Sequence, residues 1–301
     1  MGSGRATRST VASAPRSSWT PPFSDHALTA GDTVRSVDAH EGRSIEVNGA
    51  AVYVEQHGSG TPVVLIHGGL VSNAMWKPLL PALKDGLRAI TPDSRGHGRS
   101  TDPAGLMSFP QIADDVAVLI GELCLDRPVV GGYSDGGQVA LELGARHPDV
   151  AGALIVGGAY PDWAGSGLRE VWREFLGADA SGTPDLAQID ASLGEGADHV
   201  KSLHPGGKAR WQKLIDQTAS MWLDYEGLTD DDLSRIHVPT LVFAGDRDAQ
   251  ITIDLTVSLY EVLPNAELAV CPDADHAAPI GARAGMFAAA IRDFAVRHAG
   301  S

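Results

Sequence analysis

The chain has 301 residues, 43% of them apolar and 20% charged, an ordinary globular composition. That length suits one large α/β domain with an insertion or two smaller domains. A formal charge of -15 argues against non-specific binding to nucleic acid or anionic membranes, and no apolar run is long enough to span a bilayer. Two cysteines, Cys124 and Cys271, are too few for a disulfide framework or a zinc knuckle, so two buried free thiols are expected.

Residues 1–39 are rich in Ser, Thr, Ala, Gly and Pro, with Arg5, Arg8 and Arg16, and lack the apolar stretch of a secretory signal. A flexible arm and a cytoplasmic location are the expectations. Two alternating stretches around Asn48-Gly49, from Ser44 to Glu55, predict an antiparallel hairpin, because that dipeptide takes the positive φ angles of a tight turn. Pro62-Val-Val-Leu-Ile-His is a continuous apolar run ending in glycines, which predicts a strand buried on both faces. A helix is expected over about Met75–Lys84, a strand near Leu87–Thr91 and a helix over Ile112–Leu123. The strand Pro128–Gly132, the helix Asp135–Arg146 and the strand Ala153–Gly157 follow.

Between Tyr160 and about Ile236 the alternation stops. Helices and loops are expected there, with Trp163, Trp172, Trp211 and Trp222 among them. The alternation resumes with a strand over Pro239–Ala244, a helix over Leu255–Val262, a strand over Glu267–Cys271 and a final helix over Phe287–Val296. Strands alternating with helices imply an α/β fold whose mostly parallel sheet is covered by helices on both faces.

The chemical signal is Gly132-Tyr133-Ser134-Asp135-Gly136. In a chain with 35 glycines a G-x-S-x-G pattern alone is weak, and Ser134 could simply cap a helix in a glycine-rich turn. Its setting is more specific: an apolar strand precedes it and a helical pattern follows, as a nucleophile elbow requires. The small flanking residues permit the sharp turn, and the helix N-terminus brings N–H groups toward developing negative charge. Upstream, His67-Gly68-Gly69 ends a buried strand, where a backbone N–H of Gly69, or of its neighbour Leu70, can face an oxyanion together with the N–H of Asp135. Downstream, Gly245-Asp246-Arg247-Asp248 and Asp273-Ala-Asp275-His276 each follow a predicted strand. The order Ser134, Asp248, His276 is that of a nucleophile, an orienting acid and a general base, with Asp246 a minor contender for the acid.

These residues resemble the α/β-hydrolase family, and the resemblance extends over nearly all of the chain after the arm. It implies a core of residues 40–160 and 237–301 with a helical cap over 161–236. It also implies that Pro92-Asp-Ser-Arg-Gly-His-Gly-Arg-Ser is a bracing loop, so Asp93, Arg95 and His97 stay outside the chemistry. A serine nucleophile disfavours the dehalogenase and epoxide hydrolase branches, which place aspartate there. The implied activity is hydrolysis of an ester or lactone through an acyl-enzyme, with carbon–carbon bond hydrolysis, cofactor-free perhydrolysis, a lyase or a ligand receptor as alternatives.

The Ser-Asp-Gly-Gly run is also similar to esterases of the valacyclovir hydrolase type, which implies that Asp135 engages a cationic substrate. The simpler reading is an acid placed well for the helix dipole. Leu70, Tyr133, Trp163 and Trp222 are the expected substrate contacts, with the other two tryptophans of the stretch, Trp172 and Trp211, and Phe175, Met221 and Tyr225 as further candidates. No cofactor is expected, and neither a His-x-His nor a His-Glu-x-x-His spacing for a metal occurs. A nucleotide site is set aside, because the glycines lack the G-x-G-x-x-G register and no P-loop lysine follows.

Overall fold

The computed structural model describes residues 42–101, 107–277 and 281–299; the expected arm lies outside the described residues. The chain opens with the hairpin of β1 (Arg43–Val47) and β2 (Ala50–His57), paired antiparallel with Val47 opposite Ala50. Asn48 and Gly49 both have positive φ, 46° and 76°, so the turn takes the twist that matches the strands. Then come β3 (Thr61–Ile66), α1 (Leu80–Leu83), β4 (Leu87–Pro92), α2 (Phe109–Glu122), β5 (Val129–Tyr133), α3 (Asp135–Arg146) and β6 (Ala153–Gly157). After a helical stretch the pattern closes with β7 (Thr240–Gly245), α9 (Ile253–Val262), β8 (Ala266–Cys271) and α10 (Ala284–Arg297).

The eight strands lie in the order β1-β2-β4-β3-β5-β6-β7-β8. β2 runs antiparallel to β4, and every pair from β4 to β8 is parallel, so the hairpin adds the antiparallel edge expected from the sequence. The continuous apolar runs follow from this position, because a central parallel strand is covered on both faces. Val64 and Ile66 of β3 join Val130, Leu154 and Val156 in one core with α2 and α3. Val63 and Leu65 point the other way, toward Leu83 of α1 and Phe287, Ile291 and Phe294 of α10.

One expected helix is shorter than predicted. Over Met75–Lys84 the chain makes a 3₁₀ turn at Asn73–Trp76, capped by Ser72, and then only the four residues of α1. Pro78 and Pro81 lack the N–H that a continuous helix would use. Cys124 also departs from expectation: both cysteines are free, but Cys124 is exposed and only Cys271 is buried.

Between β6 and β7 lie α4 (Leu168–Leu176), α5 (Leu186–Leu193), α6 (Ala197–Ser202), α7 (Gly207–Asp224) and α8 (Asp230–Leu233), with no strand. This stretch is tied to the core by polar contacts as well as apolar packing. Residues 135, 138 and 142 of α3 share one helix face, and all three are buried. The Trp222 indole donates to Asp135, Gln138 donates to the Tyr225 hydroxyl, and that hydroxyl donates to Glu142. Among the described residues no helix is long and apolar enough to cross a membrane.

Candidate active site

The site forms where three loops leave the C-terminal ends of β5, β7 and β8. Ser134 sits between β5 and α3 at φ 56° and ψ −121°, a left-handed conformation that is costly for a residue with a Cβ. The surroundings over-determine it. The Ser134 N–H donates to the Gly157 carbonyl at 2.8 Å, and the Gln138 N–H donates to the Ser134 carbonyl at 3.0 Å. A Cβ on Gly132 or on Gly136 would collide with the carbonyl oxygen of Ile66, so both flanking glycines are required for β3 to approach the turn.

Asp248 follows β7, and His276 follows β8. The two loops are joined beyond their strands: Arg247 N–H donates to the Ala274 carbonyl, and Ala274 N–H donates to Asp246 Oδ1 at 3.2 Å. Asp246 therefore braces the two loops. Asp248 is buried; its Oδ1 accepts the N–H groups of Gln250 and Ile251, both at 2.9 Å. Its Oδ2 accepts from His276 Nδ1 at 2.7 Å and, more weakly, from the Tyr133 hydroxyl at 3.4 Å. With Nδ1 donating, His276 Nε2 is free to accept from Ser134 Oγ, 3.1 Å away. Burial favours the neutral imidazole, but the charge and hydrogen bond of Asp248, with Asp135 and Asp275 beyond, outweigh it and hold the His276 pKa above its ordinary value.

A cavity opens above Ser134, walled by Gly68, Gly69 and Leu70 on one side and by Trp172, Phe175 and Trp222 on another. Met75, Leu193, Gln250 and Ala277 complete most of the remaining lining. Of the expected contacts, Leu70, Tyr133 and Trp222 line it. Tyr133 serves the pair beneath as well, since its ring packs 5.2 Å from the His276 ring. Trp163 does not line the cavity: it stacks behind Trp172 at 5.9 Å and meets Phe109 and Tyr225 edge-on. It precedes α4, whose own residues 172 and 175 present the aromatic wall. Their three-residue spacing on an apolar helix face was the signal in the sequence that separated them from Trp163.

Gly69 is fixed by close approach. A Cβ there would come within 2.5 Å of Trp222 Cζ2 and 2.6 Å of Asp135 Oδ2. Asp135 itself is buried and does not line the cavity; its two oxygens accept from Trp222 Nε1 at 3.1 and 3.0 Å. Burial raises its pKa to about 7, against the opposing effects of the Trp222 hydrogen bond and His276.

The loop after β4 is occupied with bracing. Asp93 accepts from the N–H groups of Asn73 and Arg99, and Arg95 forms a buried two-pronged pair with Asp115. His67 accepts the Ser94 N–H at Nε2, so its Nδ1 donates to the Gly68 carbonyl. Among the described residues no cluster of three or more His, Cys, Asp or Glu side chains could hold a metal ion.

Residues 63–290 match the model of the alpha/beta hydrolase family, and this protein belongs to that family. It is 30% identical to the non-heme chloroperoxidase CPO-A1 of Kitasatospora aureofaciens over 76% of this chain and 90% of that one. It is 27% identical to a 2-hydroxy-6-oxo-2,4-heptadienoate hydrolase of Pseudomonas putida, over 86% of this chain and 98% of the relative. Among solved structures, a thermophilic esterase from Thermogutta terrifontis superimposes with a TM-score of 0.66 at 25% identity, over 87% of this chain and 99% of the esterase.

Proposed function

We propose that the protein is a serine hydrolase that cleaves a neutral, largely apolar carboxylic ester or lactone through an acyl-enzyme. The observation that carries this reading is the continuous chain from Ser134 Oγ through the His276 ring to Asp248, with hydrogen bonds of 3.1 and 2.7 Å. His276 takes the Ser134 proton as Oγ attacks the carbonyl carbon. The oxyanion lies between the N–H groups of Gly69 and Asp135, each worth about 3–4 kcal/mol in the transition state. Collapse expels the alcohol, which receives the proton from His276. Water, deprotonated by the same histidine, then releases the acid. Asp248 holds the tautomer and stabilises the imidazolium.

Residues 161–236 act as the cap that shapes the acyl or alcohol pocket, with Trp172, Phe175 and Trp222 as its substrate wall. The chemistry of that wall favours ester or lactone over the chemistry suggested by one relative. The Pseudomonas putida relative is named for a carboxylate substrate. Among the described residues lining this cavity there is no Lys or Arg to receive such a charge. The described lining residues likewise include no Asp or Glu for a cation.

Hydrolysis of a short-chain p-nitrophenyl ester by the wild type and by Ser134→Ala tests the reading. Saturable turnover that falls by several orders of magnitude in the variant is expected. Equal rates in both proteins would exclude Ser134 as the nucleophile. Halogenation of a dye in peroxide and acetate, with ester turnover absent, would replace hydrolysis with perhydrolysis.

A further inference from the structure

Asp135 follows the proposed nucleophile directly, yet it lies behind the cavity wall instead of in it. Three elements meet at its carboxyl. From α3 comes the acid itself; from the turn after β3 comes Gly69, whose missing Cβ leaves room for Oδ2; from α7 comes Trp222, whose Nε1 donates to both oxygens. Cζ2 of the indole, on the same edge as Nε1, would crowd a Cβ at the same Gly69 position. Trp222 in turn packs against Trp172 with ring centroids 4.8 Å apart and against Phe175 at 6.0 Å. One carboxyl thus fixes the register between the aromatic wall and the turn that carries the proposed oxyanion donor.

We propose that Asp135 is a positioning residue of this site: its carboxyl pins the Trp222 indole against the Gly69 turn and adds a second negative charge to the field on His276. The inference rests on the ester-hydrolase reading for its kinetic consequences, but not for its structural ones. The charged group facing Asp135 is His276, from the loop after β8; α7 presents the neutral indole and β3 the uncharged Gly69–Leu70 turn. Asp248 and Asp275 act on the same imidazole. Burial is the main influence on Asp135, and it brings the acid's ionisation close to neutral pH. The indole N–H therefore meets a carboxyl that changes charge near neutral pH. An acid displayed to a substrate ammonium group would line the cavity; Asp135 does not.

The test uses the full chain with ¹⁵N-labelled tryptophan and histidine. The Trp222 indole resonance, assigned with Trp222→Phe, should move with a midpoint near pH 7 in the wild type and stay still in Asp135→Asn. The His276 ring should titrate at lower pH in Asp135→Asn than in the wild type. In ester kinetics, Asp135→Asn keeps KM, because its amide oxygen still accepts from the indole, while the acid limb of kcat/KM moves to lower pH. Asp135→Ala should make the same move and also raise KM roughly tenfold, as a lost hydrogen bond to a charged acceptor predicts. A Trp222 resonance insensitive to pH, or an Asp135→Asn profile superimposable on the wild type, would overturn the proposal. So would a wild-type preference for α-amino esters over their des-amino analogues that disappears in Asp135→Asn while the indole resonance is unmoved. The resonance measurements need no turnover, so an inactive wild type would defeat the ester reading and leave this one to be judged by the spectra.

Discussion

His204, in the connection between α6 and α7, donates from Nε2 to the carbonyl of Leu70 at 2.9 Å, and Leu70 holds a φ of 59°. The proton's place follows from the other nitrogen, since Nδ1 accepts the Gly98 N–H at 2.9 Å. A histidine from the helical insertion therefore links the turn after β3 to the loop after β4. Replacing it by alanine leaves a buried carbonyl and a buried N–H without this partner, at about 1–3 kcal/mol for each. A lower Tm for His204→Ala, measured by calorimetry, is the expected outcome, together with a reduced kcat as the Leu70 turn loosens.

The same residue sets a pH dependence of stability. Burial depresses its pKa from 6.5 to about 4, so below 6.5 the unfolded chain takes up a proton that the folded chain refuses. His204 should cost stability progressively as pH falls from 6.5 toward 4. The Tm difference between wild type and His204→Gln should change across that window and flatten above it.

Asp135 gives the opposite slope. Its folded pKa is raised from 3.8 to about 7, so the folded state binds more protons than the unfolded state in between. Stability from this group is present below 3.8 and is lost as pH rises toward and through 7. Asp135→Asn should therefore gain Tm relative to wild type on the alkaline side of that window and not on the acid side.

As the proposed general base, His276 should govern the acid limb of activity. Its pKa lies above the ordinary 6.5, so the free base required for attack is lost as pH falls through a midpoint higher than 6.5. In Asp248→Asn that midpoint should drop, and kcat should fall by about 10⁴ because the wrong tautomer is held. A pH–rate profile of kcat/KM for both proteins decides the matter. An unchanged midpoint would mean that Asp248 does not set the ionisation of the base.

The tryptophans divide by position. Trp172→Ala should raise KM for esters with bulky acyl groups, because it opens the cavity wall. Trp163→Phe should leave KM alone and lower Tm, since Trp163 packs against Phe109 and Tyr225 behind that wall. Parallel KM and Tm measurements on both variants separate the two roles.

The legible parts of the sequence were those with a short-range physical cause. β3, β5, β6 and β7 were readable because strands covered on both faces need unbroken apolar runs. The Asn48-Gly49 turn was readable because few other pairs tolerate two positive φ angles. Pro78 and Pro81 gave enough warning to shorten the helix predicted over Met75–Lys84, but the apolar spacing of Leu79, Leu80 and Leu83 concealed it. Ser134, Asp248 and His276 could be chosen because each follows a strand end. What could not be read was contact between distant segments. Nothing local in Asp135 or Trp222 announces that 87 positions of separation close to a hydrogen bond. His204 likewise carries no local sign that its two nitrogens hold residues 134 and 106 positions away.

The bond between Trp222 and the residue after Ser134 also limits how this scaffold can be re-engineered. The helices between β6 and β7 look like a separable module, inserted between two strands of an otherwise complete sheet. Transplanting a foreign set onto this core would strand the Asp135 carboxyl without its donor unless the newcomer supplied an N–H at the same point. The reverse graft would place an indole over an elbow that has nothing to offer it. Chimeras should therefore exchange Trp222 and Asp135 as a pair.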